Sequence, residues 1–233
     1  MSLVNCPECE HVVSTYAIAC PNCGFPMELA PQLLAGETVP AVSAEPSHAP
    51  LSVGSFVSLG RWGGIELEWR VLHVEEDRAL MVTEDGIECL PYNDKESNVT
   101  WETCSLRAWL NGPFLQGAFT SAERNRLHIL DSSVPAEEGV IDYTGLDKVF
   151  LLSVNQANEF FASHESRVCR PDMYTKTRGV WTDDQGACRW WLRTHGKDND
   201  RAAYVLTDGT VYPYGSYVDV DSYAVRAAVW MSI

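Results

Sequence analysis

Four cysteines near the start of the chain have the spacing that metal chemistry needs: Cys6-x-x-Cys9, ten residues, then Cys20-x-x-Cys23. Each Cys-x-x-Cys turn presents two thiolates to one ion, and four soft sulfurs around a tetrahedral centre with no open position select a structural Zn²⁺, one per chain. The interval between the pairs is shorter than the common spacing of about 15 to 20 residues, but it suffices for one β-hairpin. The alternatives are a disulfide pair, which a cytosolic chain disfavours, and a redox Cys-x-x-Cys, which the duplication disfavours. His11 would be a spare ligand in a shell already filled by thiolates, so it reads as a surface residue. No Lys or Arg precedes Arg61, whereas Glu8, Glu10, Glu28, Glu37 and Glu45 all do. A folding or protein-docking role is therefore expected of this segment rather than phosphate binding.

The remaining cysteines, Cys89, Cys104, Cys169 and Cys188, are scattered and read as buried small hydrophobes rather than a redox or second metal set. Asp219 and Asp221 are close enough to contact a cation, but the Glu-Pro-Asn and Trp-Asn-Asp motifs of calcium-dependent sugar binding are missing from the sequence. His73, His128 and His164 have no partnered Ser or Cys in a readable motif.

Residues 194–223 form a second constellation, in which Tyr, Asp, Ser, Asn and His supply 14 of 30 positions. The candidate ligand-contacting residues are His195, Asp198, Asn199, Asp200, Tyr204, Tyr212, Tyr214, Ser216, Tyr217, Asp219, Asp221 and Ser222. Tyrosine offers large amphipathic area at low entropic cost, and small polar neighbours adapt their hydrogen bonds; this is the composition of a paratope. The bland alternative is the solvated face of an acidic protein. Ala202, Val205, Val211, Val218 and Val220 are spaced to hold a sheet beneath them.

The elements that must position these groups read as α+β. Residues 56–59, 67–74 and 78–83 suggest an antiparallel meander, with Leu67, Trp69, Val71 and His73 on one side. A helix carrying Leu106, Trp109 and Leu110 should stop at Asn111-Gly112-Pro113. Thr120-x-x-Glu123 and Ser153-x-x-Gln156 are capping boxes that open two further helices, the second following an apolar strand at 149–152. The end of the chain is short β-rich runs punctuated by Asp208-Gly209 and Tyr214-Gly215-Ser216. Trp191, and Arg226 inside the last strand, are expected to be structural, the arginine with hydrogen-bonded or ionic partners.

The chain has 233 residues, 45% hydrophobic and 21% charged, which is globular composition. A net charge of −15 argues against nucleic acid or anionic lipid as partner, and leaves an unidentified protein or other macromolecular ligand. Four prolines and five alanines in residues 30–50 read as a semi-extended linker between residues 1–29 and one domain at 51–233. The first 30 residues hold no Lys or Arg and no unbroken apolar run, so a cytoplasmic location is expected and the sequon at Asn98 is a chance match.

Cys-Pro-Glu-Cys and Ala-Cys-Pro-Asn-Cys-Gly, at residues 6–9 and 19–24, resemble zinc-ribbon knuckles; Gly24 fits the pattern and Glu10 departs from it. A longer resemblance covers roughly residues 55–233. It runs through Trp69-Arg70-Val71-Leu72, Cys89-x-Pro91-Tyr92-Asn93, the blocks at 100–111 and 147–153, Cys169-x-Pro171, Trp190-Trp191-Leu192-Arg193, Asp208-Gly209-Thr210-Val211 and residues 223–230. These blocks resemble a widespread bacterial domain of uncharacterised function related to C-type-lectin-like folds of the formylglycine-generating-enzyme type. Ala227 replaces a usual proline, and Thr194-His195 a usual Ser-Pro. The resemblance implies a C-type-lectin-like domain. It also implies a kinship with variable proteins of diversity-generating retroelements, whose adenine-directed mutagenesis randomises ligand-contacting codons on a fixed scaffold. The enzyme of that fold uses a cysteine pair near its C-terminus, whereas here the last cysteine is Cys188, so its chemistry does not carry over. Non-catalytic ligand recognition is thus the expectation. Its rival is an enzyme or modifying factor with a pocket near Trp181, Trp190 and Trp191.

Overall fold

The structure, a computed structural model, describes residues 3–5, 12–14, 51–130 and 147–233. The chain divides into two units, Met1–Ala49 and Pro50–Ile233. In the first, β1 (Leu3–Asn5) and β2 (Val12–Ser14) pair antiparallel with Asn5 opposite Val12. Cys6, Cys9, Cys20 and Cys23, and the expected linker at 30–50, lie outside the described residues.

The larger unit opens with the expected meander: β3 (Phe56–Trp62), β4 (Ile65–Val74) and β5 (Arg78–Thr83), each antiparallel to the next. Gly63 and Gly64 turn the first hairpin at φ 56° and 83°, a left-handed pair that side chains resist. A Cβ on Gly63 would also lie 2.3 Å from the Tyr174 ring. Leu67, Trp69 and Val71 point into the core as the alternation requires. A register shift between Val71 and His73 then turns Leu72 inward as well, and His73, only half-buried, stacks on Phe160 with 5.1 Å between ring centroids.

After β6 (Glu88–Cys89) comes α1 (Ser105–Trp109), which does not stop at the expected Asn-Gly-Pro. It continues as a π-turn over Leu110–Phe114, with Pro113 inside, and then as α2 (Leu115–Ala118). Burial outweighs the local stop signal: Leu110 and Phe114 are fully enclosed, and Trp62, Trp109 and Phe114 pack ring on ring. The looser π register also tolerates the N–H that proline lacks. Asn111 acts as a strap instead of a cap, donating to the Val149 carbonyl at 2.8 Å and accepting from Lys148 N–H at 2.9 Å. Both capping boxes form, at α3 (Ser121–Arg126) and at α4 (Val154–Phe160). Between them lie β7 (Leu127–His128) and β8 (Val149–Phe150), and α5 (His164–Arg167) follows.

The remaining strands are β9 (Trp190–His195), β10 (Arg201–Val205), β11 (Val211–Tyr217), β12 (Ala224–Val225) and β13 (Ala228–Ser232). They complete two sheets. One has the order β11-β10-β9-β12-β6; the other has β3-β4-β5-β13-β7, with β8 also on β13. The final apolar run is therefore not one strand. It leaves the first sheet after Val225 and enters the second at Ala228, and the Arg226 side chain, 0% exposed, fills the crossing. Its Nε donates to the Thr83 carbonyl at 2.7 Å and its Nη1 to the Arg167 carbonyl at 3.3 Å, Glu84 approaches Nη2 at 3.4 Å, and the guanidinium lies 5.1 Å from the Trp190 ring. Every direction is thus occupied, which is what a buried cation requires. The domain is α+β, mostly sheet with a few short helices. No described helix is long and apolar enough to cross a membrane.

Candidate recognition surface

The surface is built on β9, β10 and β11. Ala202, Ala203, Val205 and Val218 are fully buried and hold these strands to the core; β10 is covered along almost its whole length, while the edge strand β11 turns Tyr212, Pro213 and Tyr214 outward in succession. Tyr204 faces Trp191 on one neighbour and Tyr212 on the other; Ala202 faces His195 and Ser216. Both flanking strands take extra residues opposite Ala203, so β10 is bordered by a bulge on each side. Tyr214-Gly215-Ser216 is accordingly a bulge within β11 rather than the expected turn. Gly215 sits at φ 80°, and a Cβ there would meet the Ala202 carbonyl at 2.8 Å. Asp208-Gly209 does make the turn, with Gly209 N–H donating to the Leu206 carbonyl at 3.0 Å.

The loops close round this strand pair. Lys197 N–H donates to the Tyr214 carbonyl at 2.9 Å, Val218 N–H to the Asp200 carbonyl at 3.0 Å, and Trp181 N–H to the Ser222 carbonyl at 3.0 Å. Residues 195–200, the edge strand and the turn at 217–222 are therefore one continuous surface. His195, Asp198, Asn199, Tyr212, Tyr214, Tyr217, Asp219 and Asp221 are exposed, and Asp200, Ser216 and Ser222 are partly so. Tyr204 differs from the sequence expectation, being 8% exposed. Its ring lies 4.9 Å from Tyr223 and 5.3 Å from Tyr212, between the core and the surface tyrosines. Its phenol pKa is raised to about 12, first by burial and then by Tyr223. Tyr212 and Tyr214 continue the row outward at 5.7 Å. Tyr217 is covered instead by Arg201, whose guanidinium is 4.1 Å from its ring centroid.

Sequence reasoning did not assign Arg189 or Tyr223 to the site. Arg189 immediately precedes β9, and its guanidinium carbon lies 5.2 Å from the Trp181 ring, 5.6 Å from Tyr223 and 6.0 Å from Tyr204. Its Nη1 donates to the Tyr223 hydroxyl at 3.2 Å, and that hydroxyl donates in turn to Ser216 Oγ at 3.4 Å. No sequence signal marked Arg189, because the run Trp190-Trp191-Leu192 that follows it is buried throughout rather than alternating. Of the tryptophans named with the rival pocket, Trp190 and Trp191 are fully buried and Trp181 is 50% exposed.

Cys89, Cys104, Cys169 and Cys188 are free and buried. Burial raises the thiol pKa of Cys89 to about 11 and of Cys104 to about 12, which keeps both protonated and weakly nucleophilic at neutral pH. Cys169 and Cys188 face each other across an isolated bridge, and the Cys188 thiol is pushed up by its hydrogen bond to Cys169 and by burial. His128 Nε2 meets Ser232 Oγ at 2.8 Å across neighbouring strands, a pairing with no sequence motif behind it. Among the described residues no group of three or more His, Cys, Asp or Glu stands together to hold a metal ion, Asp219 and Asp221 included.

No curated protein and no solved structure matches the chain. A family profile, described as Domain of unknown function (DUF6273), matches residues 76–233, which takes in everything from the start of β5 to the C-terminus, including the whole tyrosine surface. The chain belongs to the DUF6273 family.

Proposed function

We propose that the protein is a non-catalytic recognition module that presents the edge of its C-terminal sheet to a protein or other macromolecular ligand. The observation that carries this reading is the separation of roles along one segment. Eleven of the twelve candidate residues keep their side chains at or near the surface, while the residues between them, Ala202, Ala203, Val205 and Val218, are wholly buried. A surface so divided can change its side chains without disturbing its support, which is what a binding face needs and a catalytic constellation does not. The bulged, loop-decorated sheet fits a C-type-lectin-like fold of the formylglycine-generating-enzyme type, and the kinship with retroelement variable proteins supplies a reason for the tyrosine-rich composition.

The N-terminal unit is a zinc ribbon in this reading. The donor set is four thiolates, and the pairing of Asn5 with Val12 sets the two ends of the segment that carries Cys6 and Cys9 side by side, as one knuckle requires. Cys20 and Cys23 complete the shell. Thiolate ligands fit a cytoplasmic protein, in which thiols stay reduced.

The test is genetic. The coding segment for residues 194–223 is sequenced in independent isolates of the source, together with its flanking DNA. Substitutions concentrated at adenine-containing codons of the surface residues, beside a near-copy of the segment and a reverse transcriptase, support variable recognition. Changes spread evenly over surface and buried positions would refute it.

A further inference from the structure

Two groups of the tyrosine surface are buried without a hydrogen-bond partner, the acceptor Asp200 Oδ1 and the donor Arg189 Nε, and the donor is the one held among the aromatic rings. Arg189 Nε is shielded from water and has no hydrogen-bond partner, and among the described residues Arg189 makes no ion pair, although the chain carries 32 carboxylates against 17 Lys and Arg. A buried donor left unpaired forfeits its hydration without replacement, so such a group calls for an explanation. The guanidinium is nonetheless firmly placed: three rings surround it, its Nη1 is committed to Tyr223, and its own carbonyl accepts from Ala224 N–H at 2.8 Å.

We infer that Arg189 reads a carboxylate on the ligand. With Nη1 spent on Tyr223, the donors that remain are Nε and Nη2, whose parallel N–H bonds match the two oxygens of a carboxylate. One fixed positive charge balances one negative charge. The exposed Asp219 and Asp221 on the adjoining turn disfavour a dianion such as a phosphate monoester. The ring row from Tyr204 through Tyr212 to Tyr214 offers a stacking platform beside the charge, so the carboxylate should be joined to an aromatic or apolar group. Trp181 is the cover. Its backbone is tied to Ser222, and of the three rings around the guanidinium it is the exposed one, at 50% against 8% for Tyr204 and 5% for Tyr223, so in this inference it is the ring that moves to admit the carboxylate. The chemistry is shared by a chain-terminal carboxylate and an acidic side chain next to an aromatic residue. This inference rests on the recognition-surface reading and names what that surface recognises.

The experiment uses the full chain and follows two signals: the Arg189 Nε–H resonance in nitrogen-15 spectra and the tyrosine ring resonances. The probes are N-acetyl-phenylalanine, its amide, the dipeptide amide N-acetyl-Asp-Phe, and phenyl phosphate. Either carboxylate probe should shift the Nε–H resonance and bind at least tenfold more tightly than the uncharged amide and than phenyl phosphate. Which of the two binds better identifies the source of the carboxylate. Arg189→Gln should abolish the preference for acid over amide. If that variant fails to fold, Arg189→Lys keeps the stem and charge but loses the fork, and should reduce the preference at least fivefold. Equal shifts of the Tyr212 and Tyr214 rings by acid and amide would overturn the carboxylate inference while leaving the recognition surface standing. No response to any probe, or an unchanged preference in the variants, would also overturn it.

Discussion

Replacing Trp191 by alanine should separate what holds the C-terminal sheet together from what it displays. The indole is fully buried, with ring centroids 4.6 Å from Tyr223, 5.9 Å from Tyr92 and 6.3 Å from Tyr204, and its Nε1 donates to the Leu90 carbonyl at 3.1 Å. Truncating a buried tryptophan costs about 3–5 kcal/mol through lost transfer energy and the cavity left behind. Stranding the Leu90 carbonyl adds about 1 kcal/mol. For a unit of this size each kcal/mol is worth roughly 2–4 °C, so Tm should fall by roughly 10–20 °C. The comparison is the triple variant Tyr212→Ser, Tyr214→Ser, Tyr217→Ser, whose rings are 39%, 62% and 44% exposed. At about 0.5 kcal/mol per surface change it should lose no more than roughly 6 °C. Tyr204→Ser alone should behave like Trp191→Ala in kind, because its ring is enclosed. Calorimetric melting of the full chain reads all three. The reasoning fails if Trp191→Ala melts within about 3 °C of the parent, or if the triple variant falls as far as Trp191→Ala.

Two further outcomes test other parts of the molecule. Elemental analysis should find one zinc per chain, lost in the Cys20→Ser, Cys23→Ser double variant, while the unfolding transition of the larger unit stays in place because the two units are separately compact; zinc retained in that variant would refute the assignment. Burial raises the pKa of Glu123, but hydrogen bonds from the Thr120 backbone and hydroxyl and from Gly60 N–H outweigh it and leave the carboxyl lowered. Its contribution is therefore complete above the ordinary carboxylate range and lost as pH falls through the lowered value. Glu123→Gln should cost about 1 kcal/mol at pH 7 and nothing once parent Glu123 is protonated; a stability gap independent of pH would contradict this.

Local signals carried the parts of the fold that local chemistry decides. Both capping boxes formed where Thr120 with Glu123, and Ser153 with Gln156, announced them, and the meander followed from the alternation through Leu67, Trp69 and Val71. Two features depended on tertiary packing and were not legible. Asn111-Gly112-Pro113 carries every mark of a helix stop, yet the burial of Leu110 and Phe114 draws the chain on through a π-turn. The run from Ala224 to Met231 is apolar but for Arg226, which reads as one buried cation within a single strand, and only the two sheets reveal that the chain changes partners there. At the candidate surface, composition found the exposed residues but could not tell Tyr204 from Tyr212. They face each other across one ladder, and which of them is covered depends on Tyr223 and Trp191 arriving from elsewhere.

The proposed recognition role puts a sheet edge, β11, at the surface, and an exposed edge is a hazard unless it is blunted. An edge strand exposes unpaired backbone groups that invite further strands, and proteins blunt such edges with proline, bulges or covering loops. All three occur here. Pro213 removes a donor in mid-strand, the bulge at Gly215 breaks the regular ladder, and Lys197 N–H takes the Tyr214 carbonyl. Backbone pairing to a partner strand is thereby blocked along the middle of β11, while the rings of Tyr212 and Tyr214 remain outside. In the proposed reading, contact with a ligand runs through side chains, the part of the strand that substitution can alter without loss of the ladder to β10. An edge closed in its backbone and open in its side chains is the arrangement a changeable binding face requires. It is also why the triple tyrosine variant should keep its fold and Trp191→Ala should not.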